Sequence, residues 1–234
     1  MAKIEYSKIL RWNVTGASRG MQATITLPSA DSVQISRYGG FVTAYVAIKF
    51  GGYSYECGLS TDINHYKLNQ WHWTSATSDD EPSRLDGDWG QFHSGDTVNL
   101  KLTIDDVVQN GYKFKKLRFY VNSNLVRTFV RDFASTDNFN EARLIIAANH
   151  ETYESEAQVP NPLPAWGVVH NQIVASGLMH KNTSNTWVAV NSSNSTPPSA
   201  TEKNPSNRQH QGVPLNYTMT VLPASSMIYA ALKV

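Results

Sequence analysis

The sequence predicts an all-β chain folded as a two-sheet sandwich or jelly roll. Three observations carry that prediction. Apolar residues recur with period two wherever the pattern is clear, helical periodicity appears nowhere, and turn signals centred on Gly and Asn separate the runs. The 234 residues show no break in composition and no internal repeat. The expectation is therefore a single domain over residues 1–234, since sandwiches of about 200–250 residues commonly form one unit.

The elements follow in chain order. Met1 to Trp12 is strand-like. Phe41 to Phe50 places Val42, Ala44, Val46, Ile48 and Phe50 on one face; the other face takes Phe41, Thr43, Tyr45, Ala47 and Lys49, a mixed set. After Gly51-Gly52, Tyr53 to Ser60 alternates again and reads as the hairpin partner of that strand. Gln70 to Thr74 is a short strand. Residues 75–97, with Asp79-Asp80-Glu81-Pro82 and Asp86-Gly87-Asp88, read as a long loop. Val98, Leu100, Leu102 and Ile104 alternate with Asn99, Lys101 and Thr103 in a half-buried strand. Beyond Asn110-Gly111, the runs Tyr112 to Val121 and Leu125 to Val130 form a hairpin turned at Asn122-Ser123-Asn124. Ala142 to Ala148, Gly167 to Ala175 and Thr186 to Val190 are further strands. Residues 191–214, rich in Asn, Ser, Thr and Pro, are a second long loop before a closing strand at Tyr217 to Val221; Met219 to Val234 is also strand-like.

Composition narrows the function. Charged residues make up 17%, with 20 basic against 19 acidic side chains, while 41% are apolar and 11% aromatic. A disordered chain would carry more charge and fewer aromatics, and a nucleic-acid binder would show a basic excess to neutralise phosphates. No apolar run approaches the roughly 18 residues of a membrane span. The lone Cys57 excludes an internal disulfide framework, so a packed core must supply stability. Met1-Ala2-Lys3-Ile4-Glu5-Tyr6 has no apolar segment of a secretory signal. Asn-X-Ser/Thr acceptors at Asn13, Asn182, Asn191, Asn194 and Asn216 point to an extracellular location.

Several chemistries lack their motifs. There is no Gly-rich phosphate loop and no Gly-x-Ser-x-Gly elbow. The histidines at 65, 72, 93, 150, 170, 180 and 210 are scattered, and His150-Glu151 is followed by Glu154 where a zincin needs His, so no metal is expected. Asp79, Asp80, Glu81, Asp86 and Asp88 could gather oxygens around calcium, but they lack the ordered alternation of an EF-hand and read as solvated turn carboxylates. No cofactor is implied. A glycosidase needs two carboxylates about 5–9.5 Å apart, whereas the strands offer one inward-capable carboxylate, Glu56.

Gln70-Trp71-His72-Trp73-Thr74 is the most unusual segment. On a strand, Trp71 and Trp73 share one face while Gln70, His72 and Thr74 share the other. The tryptophans either fill the core or line a groove where flat rings stack on a ligand. Together with Tyr45-Val46-Ala47-Ile48, Glu56-Cys57-Gly58-Leu59, Gly95 to Leu100, Ala142 to Ile146 and Trp166 to Val169, this order resembles the concanavalin-A-like lectin/glucanase superfamily. Within it the layout is most similar to the glutamic peptidases, or eqolisins. The resemblance implies a substrate-facing role for Tyr45 and puts Glu56 where that family has its catalytic Gln. His72 falls where the family has an acidic residue, and Arg143 or Ala147 where it has its catalytic Glu. One group must deprotonate water and an amide must polarise the scissile carbonyl; Glu56 and Arg143 instead form a natural ion pair.

The expectation is a secreted-type, non-catalytic binding protein, lectin-like, that takes a saccharide or another neutral ligand on a concave sheet face. Its candidate ligand residues are Tyr45, Glu56, Gln70, Trp71, His72, Trp73 and Arg143. Two alternatives remain: a hydrolase or lyase of the same fold with Glu56 and His72 as acid/base groups, and a surface-layer or toxin-type interaction protein using the Trp71/Trp73 face and the 191–214 loop.

Overall fold

The computed structural model describes residues 4–35, 40–77, 82–129, 139–153, 168–203, 216–222 and 226–233. Its strands in chain order are β1 (Ile4–Asn13), β2 (Ser18–Thr26), β3 (Val33–Ile35), β4 (Phe41–Phe50), β5 (Tyr53–Asp62), β6 (His72–Thr77), β7 (Arg84–Asp86) and β8 (Thr97–Gln109). They continue as β9 (Tyr112–Val121), β10 (Asn124–Thr128), β11 (Phe139–Tyr153), β12 (Val168–Asn182), β13 (Trp187–Ala189), β14 (Ser199–Lys203), β15 (Asn216–Leu222) and β16 (Met227–Lys233). Two short 3-10 turns, Ala30–Ser32 and Tyr66–Leu68, complete the regular structure of the described residues. None of these elements is a helix long and apolar enough to cross a membrane.

Two antiparallel sheets face each other. One runs β14-β1-β11-β4-β5-β6-β7; the other runs β10-β9-β8-β2-β12-β16-β15, with β13 and β3 also paired to β12. Period two decides what lies between them. Val42, Ala44, Val46 and Ile48 of β4 meet Val98, Leu100, Leu102 and Ile104 of β8 and Met21, Ala23 and Ile25 of β2 in one core cluster.

Local chemistry explains the hairpins. Gly51 and Gly52 (φ 59° and 88°), Asn110 and Gly111 (52° and 81°), and Asn122 and Ser123 (48° and 69°) each put two successive residues at positive φ. That is the requirement of a two-residue turn whose twist matches the strands it joins, and Gly and Asn tolerate it best.

The structure extends and corrects the sequence reading in places. β2 is an additional central strand; its alternation of Met21, Ala23 and Ile25 with Gln22, Thr24 and Thr26 was there, but it is weakly apolar. The 75–97 stretch is not all loop, since β6 runs on to Thr77 and β7 pairs Arg84, Leu85 and Asp86 with Ala76, Ser75 and Thr74. The 191–214 stretch likewise contains β14, an edge strand on β1.

A buried arginine joins the two sheets. From β10, Arg127 donates through Nη1 to the Ser75 carbonyl (3.1 Å) and Oγ (2.9 Å) on β6, and through Nη2 to the Pro82 carbonyl (2.6 Å). Its guanidinium lies 4.3 Å from the Phe129 ring centroid.

Candidate functional site

The outer face of the β1–β11–β4–β5–β6–β7 sheet collects most of the sequence-derived candidates. Antiparallel register fixes its rows, because residues paired across strands project to the same face. One row is Arg143, Ala47, Glu56 and Ala76; the next is Ile145, Tyr45, Gly58 and Thr74; a third is Ala147, Thr43, Ser60 and His72. Ala47, Ile145 and Ala147, with Ile9 and Tyr45, make a small apolar patch in the middle.

At one end lies a chain of ion pairs. Arg143 Nη2 meets Glu56 Oε1 at 3.0 Å and Ser54 Oγ at 3.2 Å, while Arg143 Nη1 meets Glu141 Oε1 at 3.0 Å. Glu141 also takes Lys49 Nζ at 2.8 Å. That contact holds the Glu141 carboxyl below the usual carboxylate range against the opposing effect of burial. Arg11 stands close by, its guanidinium pKa lowered by burial and then by Arg143.

In the middle, the ring of Tyr45 lies across Gly58. A Cβ at position 58 would run into the Ala44 carbonyl oxygen and Tyr45, so the bare backbone is what admits the ring. Burial raises the Tyr45 phenol well above its ordinary pKa, and it stays protonated as a donor.

At the other end is a pocket of about 280 Å³ lined by Phe41, Ser60, Asp62, His72, Arg84 and Trp89, among others. His72 is 1% exposed. Its Nδ1 lies 3.3 Å from the Gly87 carbonyl, which only an N–H can satisfy, and its Nε2 is buried without a hydrogen-bond partner among the described residues. Burial therefore lowers the His72 pKa, outweighing the attraction of Asp86 and the Gly87 carbonyl. Trp89 stacks on His72 (centroids 3.8 Å apart, 27° between planes) and on His65 (3.6 Å, 3°). His65 Nδ1 in turn contacts Asp62 Oδ1 at 2.7 Å, and Arg84 Nε lies 2.9 Å from both Asp86 oxygens.

The candidates thus divide. Tyr45, Glu56, His72 and Arg143 share the outer face, and Glu56 and Arg143 touch. Trp71 and Trp73 point the other way: Trp71 is a core residue, and Trp73 packs against that core with its ring 6.3 Å from Phe119. The groove-lining alternative for the two tryptophans therefore gives way to the core. Gln70 precedes β6, its side chain beside Gly90. Glu56 pairs with Ala76, four positions along β6 from His72, so the two lie about 13 Å apart along the strand. They form no direct acid/base pair.

Trp89, Asp62, Ser60 and Arg84 line the pocket, and His65 stacks on Trp89 behind it, but none of the five is a candidate from the sequence. The signal available was an aromatic between Gly87 and Gly90 in a polar loop. Among the described residues no group of three or more His, Cys, Asp or Glu side chains is arranged to hold a metal. Of the acidic-loop residues weighed for calcium, Asp79, Asp80 and Glu81 lie outside the described residues, and Asp86 pairs with Arg84. The Asn-X-Ser/Thr asparagines at 182, 191 and 194 serve as turn residues, their side-chain oxygens accepting from Thr186, Ser193 and Asn191 backbone N–H groups respectively.

Comparison with solved structures gives the fold its class. The chain is similar to Scytalido-glutamic peptidase with a peptide-based transition state analogue, at a TM-score of 0.60 and 10% identity, covering 99% of this chain and 100% of that one. It is also similar to SCP-B, a member of the eqolisin family of peptidases in complex with the tripeptide Ala-Ile-His, at 0.50 and 9% over 99% and 100%. No family model matches, and neither does any curated protein. The chain has the concanavalin-A-like jelly roll, in the form in which eqolisin glutamic peptidases are built.

Proposed function

We propose that the protein is a binding protein that holds a ligand on the outer face of the β1–β11–β4–β5–β6–β7 sheet without glutamic-peptidase chemistry. One observation carries this reading. Where the family resemblance calls for a catalytic Gln and Glu, Glu56 and Arg143 form a 3.0 Å ion pair. An anionic Glu56 accepts hydrogen bonds rather than donating one to an oxyanion, and an arginine cannot deprotonate water.

A saccharide chain is the ligand class that fits best. Between the ion pairs and the pocket, the face carries no net charge: the half-buried Tyr45 is its accessible group, set on a buried floor of Thr43, Thr74, Ala47 and Ile145. Hydroxyl-rich neutral ligands match that pattern of fixed polar groups on an apolar floor. A glycan array with the wild-type protein and with Tyr45→Ala tests it. Selective binding lost in the variant supports the reading; a flat array from a folded protein overturns the saccharide assignment.

A hydrolase of the same fold is the second reading, favoured by the peptidase identity and peptide ligands of the similar solved structures. A peptide library incubated at acid and neutral pH decides between them, and turnover that disappears in Glu56→Ala would replace the binding reading.

A further inference from the structure

We propose that the segment 87–92 is a lid over the His72 end of the ligand face, held shut at neutral pH by two imidazoles and released in acid. The inference rests on the binding reading for its purpose, but its geometry stands independently.

The segment is built as a strap. Its first residue is fastened to β6 by the Gly87 N–H donating to the Trp73 carbonyl at 2.9 Å, and its last by Trp71 and Phe92, whose N–H groups donate to each other's carbonyls at 2.9 and 3.3 Å. Between these anchors hangs Trp89, flanked by Gly87 and Gly90. Gly87 has no room for a side chain, since a Cβ would run into Trp73 and Gln91. Gly90 sits at φ +80°, where a Cβ is disfavoured. Fixed ends, with glycines on both sides of one bulky residue, allow that residue to swing without disturbing the sheet.

What holds Trp89 in place is the pair of imidazoles against its two faces. His65 comes from the β5–β6 connection and His72 from β6, so closing the strap completes a three-ring stack from three separate segments. Closure also seals His72, whose Nε2 is buried with no hydrogen-bond partner among the described residues. A neutral imidazole bears that state at a cost; an imidazolium would have a buried N–H without an acceptor as well as a buried charge.

The groups around each ring give the pH response its sign. Around His72 are Asp86 and Arg84 from β7, Asp62 from the far end of β5, and the Gly87 carbonyl, with His65 of the β5–β6 connection on the other side of Trp89. Asp86 and Asp62 attract a proton to the ring, Arg84 opposes it, and burial prevails against protonation. Acid therefore favours the state in which Trp89 has moved away and water reaches His72. His65 behaves differently, because it is not sealed: its Nδ1 is already held by Asp62 Oδ1 at 2.7 Å, and it serves as the fixed face of the stack. Only His72 acts as the release.

Fluorine NMR of the fluorotryptophan-labelled full chain tests this without any ligand. The six tryptophans give six lines, and Trp89→Phe identifies one of them. Lowering pH from about 8 to about 5, the range in which imidazoles titrate, should shift the Trp89 line alone in a single titration. That shift should vanish in His72→Gln and persist in His65→Gln. A Trp89 line that stays fixed while His72 titrates overturns the proposal, as does a shift that survives in His72→Gln. Should His72→Gln fail to fold, the wild-type midpoint is compared with the proton titration of the His72 ring: coincidence supports the lid, disagreement overturns it. A titrating lid alongside flat glycan and peptide arrays would remove the binding reading and leave the conformational one standing.

Discussion

Arg143 reaches Glu56 over Ala47. The two charged residues sit on β11 and β5, each paired with the same residue of β4, and the Ala47 methyl between them is small enough for Nη2 and Oε1 to close to 3.0 Å. The strand between is thus part of the pair's geometry, and Ala47→Leu would wedge the ion pair open.

The double variant Glu56→Gln/Arg143→Glu restores, at these two positions, the amide and carboxylate that the family resemblance assigns to catalysis. It is expected to gain measurable acid peptidase activity over a wild-type background, because base and oxyanion donor would then face one another. Unchanged activity in a folded double variant would mean that the remainder of the face does not accept a peptide in register.

Removing Arg143 alone is expected to be mild. Glu56 is 35% exposed and Arg143 13%, so water compensates much of the lost pairing and Arg143→Met should cost about 1 kcal/mol. Urea denaturation at neutral pH measures it, with the Glu56→Gln variant as the counterpart in a double-mutant cycle.

Two buried positions should prove far less forgiving. Gly58→Ala forces a methyl into the Ala44 carbonyl and Tyr45, and overpacking of this sort costs about 1–3 kcal/mol. Arg127→Met leaves the Ser75 and Pro82 carbonyls without their cationic donor across the two sheets, for a loss of about 1–3 kcal/mol. A shift in thermal midpoint no larger than that of a surface substitution would show either contact to be dispensable.

Stability should fall as the solution is acidified. His72 and His180 both have pKa values lowered by burial in the folded state. A depressed folded pKa gives stability that is complete above the unfolded value, about 6.5, and is lost as pH falls towards the folded one. Denaturation midpoints are expected to decline below about pH 6.5, and His72→Gln should flatten part of that decline. An equally steep profile in the variant would assign the loss to other groups.

The hairpins were readable because their cause is local: Gly51-Gly52 and Asn110-Gly111 carry their turn geometry in two residues. The core faces of β4 and β8 were readable for the same reason, since strict alternation needs no partner to be recognised. β7 was not, because Arg84, Leu85 and Asp86 are all exposed and bury no face; that strand exists through pairing to β6. Glu56 and Arg143 stood out as polar residues at alternate positions on opposed strands. The His65–Trp89–His72 stack did not, because its rings come from three segments that meet only after the sheet has formed.

The fastening of the first strand sets how the chain can fold. β1 lies between β11 and β14, and Trp12 Nε1 donates to Ser195 Oγ at 2.8 Å across 183 residues of chain. Strand β1 thus waits for residues beyond 190, and its sheet closes only after long loops have been brought together. Non-local pairing of this kind places refolding towards the slow, millisecond-to-second end of the range. Until β1 docks, β11 presents an unpaired edge, so the same arrangement that completes the sheet leaves it, half-formed, open to association with other chains.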